Sequence, residues 1–208
     1  MIRPATTADA PALRAIERAA GEAFRAIGLD VVADDEPPPA AVLAAYATAG
    51  LAFVAERATE RSAGGASTGT ERSAGGASIG TERSAGGASI GTERSAGGAS
   101  TGTEPVGYLL TEIVDGCAHV EQVSVLPRMR GRRIGGGLVE HLAGWARDRG
   151  LPALTLTTYR DVPWNGPYWV RLGFRELIEL PPGLRAIRDA ETARGLDVWP
   201  RLAMRREL

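Results

Sequence analysis

Between Arg128 and Gly137 the chain reads RMRGRRIGGG, which sets Arg128, Arg130, Arg132 and Arg133 among Gly131, Gly135, Gly136 and Gly137. Before it comes AHVEQVSVLP, a strand-like run with Val120 on one face, Val123 and Val125 on the other, and Pro127 as its stop. After it, Leu138, Leu142 and Trp145 share one helical stripe that closes at Gly150. A strand that runs through such a turn into a helix aims free backbone N–H groups and the positive helix end at one point, a geometry that binds phosphate. The glycines let the backbone come close, and the arginines can neutralise the ligand. Neither familiar nucleotide signature fits, because the turn has no G-K-[ST] and its glycines are not spaced as G-x-G-x-x-G. Inside the strand, His119 and Glu121 stand two apart and so share a face.

The surrounding elements are readable from periodicity. Ile2 to Ala5 is a first strand, and TADAPALRAIERAAGEAFRAIG follows as an amphipathic helix with Asp9 in its first turn and Gly28 after its end. LDVVADDEPPP, Leu29 to Pro39, is an acidic loop ended by prolines, and AAVLAAYATAG is a short helix that stops at Gly50. LAFVAE, Leu51 to Glu56, and PVGYLLTEIV, Pro105 to Val114, are strand-like. Beyond the long helix, strand ALTLTTY leads into RDVPWNGPYWVRLGF, a loop and short helix, then strand FRELIEL and a last strand RLAMRREL. The order β-α-α-β-β-β-α-β-α-β-β predicts a single mixed α/β (α+β) domain with a mostly antiparallel central sheet flanked by helices.

One stretch stands apart. Glu60 to Thr103 is four copies of an eleven-residue unit, ERSAGGAS[TI]GT, rich in Gly, Ser and Thr. Its only sizeable apolar residues are Ile79 and Ile90, too little to offset chain entropy, so disorder is expected rather than a stacked solenoid. The repeat sits where a hairpin turn would join its two flanking strands, and a long insertion there is tolerable because loop closure costs only about 0.6 kcal/mol per doubling of length.

Across 208 residues, 24 basic and 25 acidic side chains leave a net charge of −1, so no overall basic field draws in nucleic acid or an anionic membrane. Every cation is an arginine. The single cysteine, Cys117, excludes an intramolecular disulfide, and the two histidines, His119 and His141, are too few for a convincing metal site. With neither a signal-like start nor an apolar run of membrane-spanning length, the expectation is a soluble cytoplasmic protein.

The segment VSVLPRMRGRRIGGGL, Val123 to Leu138, resembles the acetyl-CoA motif of the GNAT superfamily of acyl-CoA-dependent N-acetyltransferases. There a strand ends in x-Val-x-Pro, and an [Arg/Gln]-x-x-Gly-x-[Gly/Ala] turn opens a helix. Arg130 takes the first position and Gly135 the last, while Arg133 stands where the family prefers glycine and would contribute mainly its backbone N–H. TTYRDVPWNGPYWVRLGF is similar to the family's second motif, with Asn165 at the pantetheine-side Asn and Gly173 and Phe174 at the Gly-Phe.

The resemblance implies a sheet whose motif strand splays from its neighbour. It also implies acetyl-CoA as co-substrate without a metal, held by Val123, Ser124, Val125, Arg130, Gly131, Arg132, Arg133, Ile134, Gly135, Gly136 and Asn165. A backbone N–H at Val123 or Val125 would be the oxyanion donor. The attacking amine must be neutral, which makes Glu121 and His119 the candidate bases. The family's acid for the leaving thiolate is a tyrosine, but its position here is Trp169, so Tyr168 and Tyr159 are the candidates, beside direct departure of the thiolate. The implied acceptor is a primary amine of a small molecule. Alternatives are a protein amino terminus or side chain, a CoA-binding module without turnover, and an interaction protein whose repeat is the working part. Asp34, Asp35 and Glu36 could meet a cationic amine or form a solvated loop, and Trp164 and Trp169 could line an apolar wall or pack in the core. Neither nucleic acid nor membrane is an expected partner, and a homodimer is compatible with this reading.

Overall fold

The computed structural model describes residues 1–59 and 102–208. Seven strands are present: β1 (Ile2–Pro4), β2 (Ala52–Ala58), β3 (Thr103–Val114), β4 (Cys117–Val125), β5 (Ala153–Tyr159), β6 (Arg175–Glu176) and β7 (Arg201–Glu207). Six α-helices accompany them: α1 (Ala10–Arg25), α2 (Asp30–Ala33), α3 (Ala40–Thr48), α4 (Ile134–Arg147), α5 (Gly166–Arg171) and α6 (Pro182–Ala193). The strands form one sheet in the order β1-β2-β3-β4-β5-β7-β6. Pairs β1–β2, β3–β4, β5–β7 and β6–β7 run antiparallel, and β4–β5 runs parallel. The expected mixed, mostly antiparallel sheet with flanking helices is the architecture found.

Helices bury both faces of the sheet. Leu138, Val139, Leu142, Ala143 and Ala146 of α4 pack with Ala118, Val120, Leu154 and Leu156 in the larger core. Leu13 and Ile16 of α1 and Leu43 of α3 meet Val54, Tyr108 and Leu110 on the other face. Each fully buried leucine contributes roughly 1.5–3 kcal/mol relative to its exposed state, so the stripes at helical spacing fix which side of each helix faces inward. The stop read at Gly150 is an αL cap: Gly150 has φ +68°, and Leu151 N–H bonds Ala146 O at 3.0 Å.

The local reading missed two helices and overextended one strand. The acidic loop contains α2, whose Asp30 and following Asp34 both accept from Arg25. The chain between Pro181 and Pro200 holds α6, begun by a proline and capped by the Asp115 carboxylate, which accepts from Gly183 N–H and Leu184 N–H at 2.9 Å each. That cap comes from the β3–β4 turn, far away in sequence, so no local pattern announces it. The strand expected over Phe174 to Leu180 shrinks to Arg175–Glu176, because two prolines open α6 directly afterwards and Ile178, at 85% exposure, has nothing to pack on.

The repeat, apart from its final residues, lies outside the described residues. Thr103, the last residue of its fourth copy, is the first residue of β3 rather than part of a loop. At the edge of the described residues, Thr59 N–H bonds Gly102 O at 2.8 Å.

Candidate active site

Two irregularities in β4 make the site. The β3–β4 register shifts between Leu110↔Gln122 and Thr111↔Val120, which leaves Glu121 as the extra residue of a β-bulge. The parallel β4–β5 pairing runs only from Ala118↔Leu154 to Val120↔Leu156, although both strands continue. Beyond Val120 the two strands therefore part. Leu126 N–H bonds Val106 O at 2.9 Å, so the in-register pairs Gly107↔Val125 and Leu109↔Val123 are non-hydrogen-bonded ones. The N–H groups of Val123 and Val125 consequently point away from β3, into the gap.

At the end of this gap, Leu126 to Arg133 turns into α4. The helix ladder begins with Gly137 N–H to Arg133 O at 2.9 Å, which leaves the N–H groups of Ile134, Gly135 and Gly136 free of intrahelical partners. Arg133 is the N-cap and adopts φ +57°, a left-handed conformation that explains a preference for glycine there and costs an L-residue roughly 1–2 kcal/mol. A Cβ at Gly135 would lie 2.9 Å from the Tyr168 hydroxyl, so a larger residue there requires Tyr168 to shift. Across the gap, Asn165 caps α5 and Gly166 meets the Arg160 carbonyl so closely that a Cβ would sit 2.2 Å from it.

A cleft of about 870 Å³ joins these parts and continues past Glu121 between α1 and α6. Of the residues expected at the cofactor, Val123, Ser124, Val125, Arg130, Gly131, Arg133, Ile134, Gly135 and Asn165 line it. Arg132 does not, facing instead a separate hollow with His141 and Arg57, and Gly136 lines neither. The acetyltransferase (GNAT) family model matches residues 81–174, a stretch that includes β4, the arginine-glycine turn and α5. Over that stretch the chain matches the GNAT acetyltransferase family.

Solved structures share the GNAT fold at low identity. PaiA N-acetyltransferase from Thermoplasma acidophilum, in complex with coenzyme A, matches with a TM-score of 0.58 and 10% identity over 100% of this chain and 98% of its own. Rv2747 from Mycobacterium tuberculosis, also with CoA, gives 0.57 and 17% over 100% and 99%. N-acetylglutamate synthase from Neisseria gonorrhoeae, complexed with coenzyme A and N-acetyl-glutamate, gives 0.57 and 14% over 100% of this chain and 35% of that one. The activity named for the matched family is acetyl transfer, and these three structures hold coenzyme A.

The far end of the GNAT cleft is built from side chains. Glu121 is 45% exposed, but its open surface faces the cavity. Burial, then Glu112, Glu191 and Glu17, raise its affinity for a proton, against a smaller opposing effect of Arg194. His119 lies behind the wall, 1% exposed, with Nδ1 3.0 Å from Thr155 Oγ1 and Nε2 3.9 Å from Glu121 Oε2. Burial lowers its pKa to about 4, so it is neutral near pH 7. Glu191 is also buried, which raises its pKa, but the donors Arg201, Thr157 and Arg188 outweigh this and keep it low. Tyr168 lines the cleft and burial pushes its hydroxyl up; Trp169, 6% exposed, reaches the cleft wall as well while packing edge-on to Phe174 in the core.

The acidic loop is ion-paired rather than freely solvated. Asp34 meets Arg25, Glu36 meets Arg14 and Arg18, and Asp35 meets Arg194 of the loop after α6 at 2.9 Å. Only Asp35 of the three lines the cleft. Trp164 lines it too, edge-on to Phe24 with ring centroids 5.7 Å apart. Sequence reasoning missed Glu17, Glu112, Phe24 and Glu191 as cleft residues. Glu17, Ala20, Gly21 and Phe24 follow one another at helical spacing on α1, a signal that marks a face but not what it looks onto.

Proposed function

We propose that the protein transfers acetyl from acetyl-CoA to a primary amine of a small molecule by direct attack. The observation that carries this reading is the opening of β4 from β5 beside the bulged Glu121. It aligns free N–H groups, a helix start and a proton acceptor along one cleft. The pyrophosphate sits at the α4 turn with Arg130 and Arg133, and the pantetheine lies in the gap beside Asn165. Val123 or Val125 N–H stabilises the oxyanion that forms when the amine attacks the thioester carbonyl. Much of the acceleration comes from holding two reactants together, an effect worth up to roughly 7–11 kcal/mol.

Glu121 takes the proton from the amine, directly or through water. His119 is too enclosed and too weakly basic to do so and acts as a neutral neighbour. Tyr168 keeps its proton at neutral pH and donates a hydrogen bond to the departing sulfur. A small acceptor is favoured over a polypeptide because Asp35 and Arg194 join the two walls beside the cleft. The repeat is an insertion in the β2–β3 hairpin of this single domain.

The test is release of free thiol from acetyl-CoA across a panel of primary amines, with the Tyr168→Phe variant in parallel. Amine-dependent release, slowed several-fold in the variant, is expected. Binding of acetyl-CoA without amine-dependent release by any member would instead identify a CoA-binding module.

A further inference from the structure

Glu121 shares its cleft with two carboxylates that no ion pair neutralises among the described residues: Glu17 of α1 and Glu112 of β3. Each is held instead by a tyrosine hydroxyl. Tyr108, fully buried, donates to Glu17, and Tyr46 donates to Glu112. The contrast with the rest of the acceptor end is sharp, since Asp35 and Glu191 are both paired with arginine. A tyrosine O–H fixes a carboxylate oxygen in place and leaves its negative charge standing.

The backbone brings these charges to the bulge. Glu112 is the register partner of His119, so it lies beside the strand segment that presents Glu121. The titratable groups around Glu121 are Glu112 from β3, His119 from β4, Glu17 from α1, Tyr46 from α3, and Glu191 with Arg194 from α6 and its end. Arg14 adds a weak cationic influence on Glu17. Charge at this end is thus negative in excess: Glu112 acts most on Glu121, the arginine-paired Glu191 next, and Glu17, whose own proton affinity burial raises, adds a smaller share.

We propose that Glu112 and Glu17 are positioning residues, a tyrosine-anchored pair of unneutralised carboxylates that draws the protonated amine to Glu121. The proposal rests on the reading of Glu121 as the proton acceptor. The acceptor enters as R–NH₃⁺ and gives one proton to Glu121. The freed lone pair forms the C–N bond to the thioester carbon, its C=O electrons moving to oxygen, and the C–S bond then breaks to the CoA thiolate as the C=O re-forms. The second amine proton is lost from the amide nitrogen as the intermediate collapses, and the thiolate takes up one proton. A weakly basic amine, already neutral at the assay pH, gains nothing from the pair.

The experiment is a carboxyl-carbon NMR titration of the full chain with labelled glutamate, the Glu121 signal being assigned by its loss in Glu121→Gln. Like charges that share a solvent-filled cleft interact by about one pH unit, so Glu112→Gln is expected to lower the Glu121 midpoint by about that much, a tenfold loss of proton affinity. Glu17→Gln should lower it less. Where Glu112→Gln does not fold, Tyr46→Phe and the wild-type chain in high salt serve, both shifting the midpoint downward. A midpoint unmoved by all of these overturns the proposal. The reading beneath it fails separately: Glu121→Gln turning over amines at the wild-type rate removes Glu121 as the base, whatever the midpoints do.

Discussion

The two ends of the cleft are built by different means. At the proposed donor end the free polar groups are backbone ones: N–H groups of Val123 and Val125 in the β4–β5 gap and of Ile134 and Gly135 at the α4 start, with Arg130 and Arg133 as the charged side chains that line the cleft. At the acceptor end the groups are carboxylates and aromatic rings, contributed by α1, β3, β4, the loop after α2, and α6. The first is compact in sequence and set by local conformation. The second exists only after the sheet has formed and the helices have docked on it. A backbone-built pocket suits a co-substrate that never changes, and a side-chain pocket can be altered one residue at a time to fit different amines.

The largest expected effect separates these ends most clearly. Glu121→Gln should lower kcat by about 10²- to 10⁴-fold, the usual range for a lost general base, and should abolish the rise of kcat/KM with pH that its deprotonation produces. The same residue should weaken the fold. Because its proton affinity is raised in the folded state, the stability it contributes is present at low pH and lost as pH rises through its folded pKa. Thermal melts should therefore show Glu121→Gln gaining on the wild type as pH rises above the ordinary carboxylate value. His119 has the opposite sign: its lowered pKa means that the fold loses stability as pH falls from about 6.5, the unfolded value, to about 4.

A smaller effect belongs to the turn. Arg133→Gly should remove left-handed strain, a gain of about 1 kcal/mol after the added freedom of an unfolded glycine is offset, seen as a higher urea midpoint at unchanged slope. It should also weaken acetyl-CoA binding modestly, since a charge at the phosphate end is lost. A destabilised Arg133→Gly chain would mean that the arginine side chain holds the turn by contacts, against the view that its backbone carries the function.

The same division explains what could be read from the chain. The strand, the arginine-glycine turn and the helix after it lie within Val123 to Leu138, so composition and spacing were enough to expect an anion-binding turn. Asn165, Gly173 and Phe174 were legible for a similar reason. Arg132 faces the hollow with His141 and Arg57 and not the cleft, because neighbouring arginines at a turn face different sides, and sequence spacing does not give the side. Glu17 and Glu112 were invisible because their meaning depends on tyrosines and on a carboxylate brought from other elements. His119 and Glu121 were seen as a pair on one face, yet the bulge and the burial that make one open and the other enclosed are tertiary facts. Helix α6 went unread because its cap, Asp115, is donated across the fold.

Isothermal calorimetry with acetyl-CoA on three chains tests the division directly. Gly135→Val puts a side chain against the Tyr168 hydroxyl at the donor end, where the backbone must come close to the ligand, and is expected to cost about tenfold in affinity, or about 1.4 kcal/mol. The account predicts that Gly135→Val binds acetyl-CoA that much more weakly, while Glu121→Gln binds it as tightly as the wild type and fails only in turnover. Equal weakening in both variants, or none in either, would contradict it.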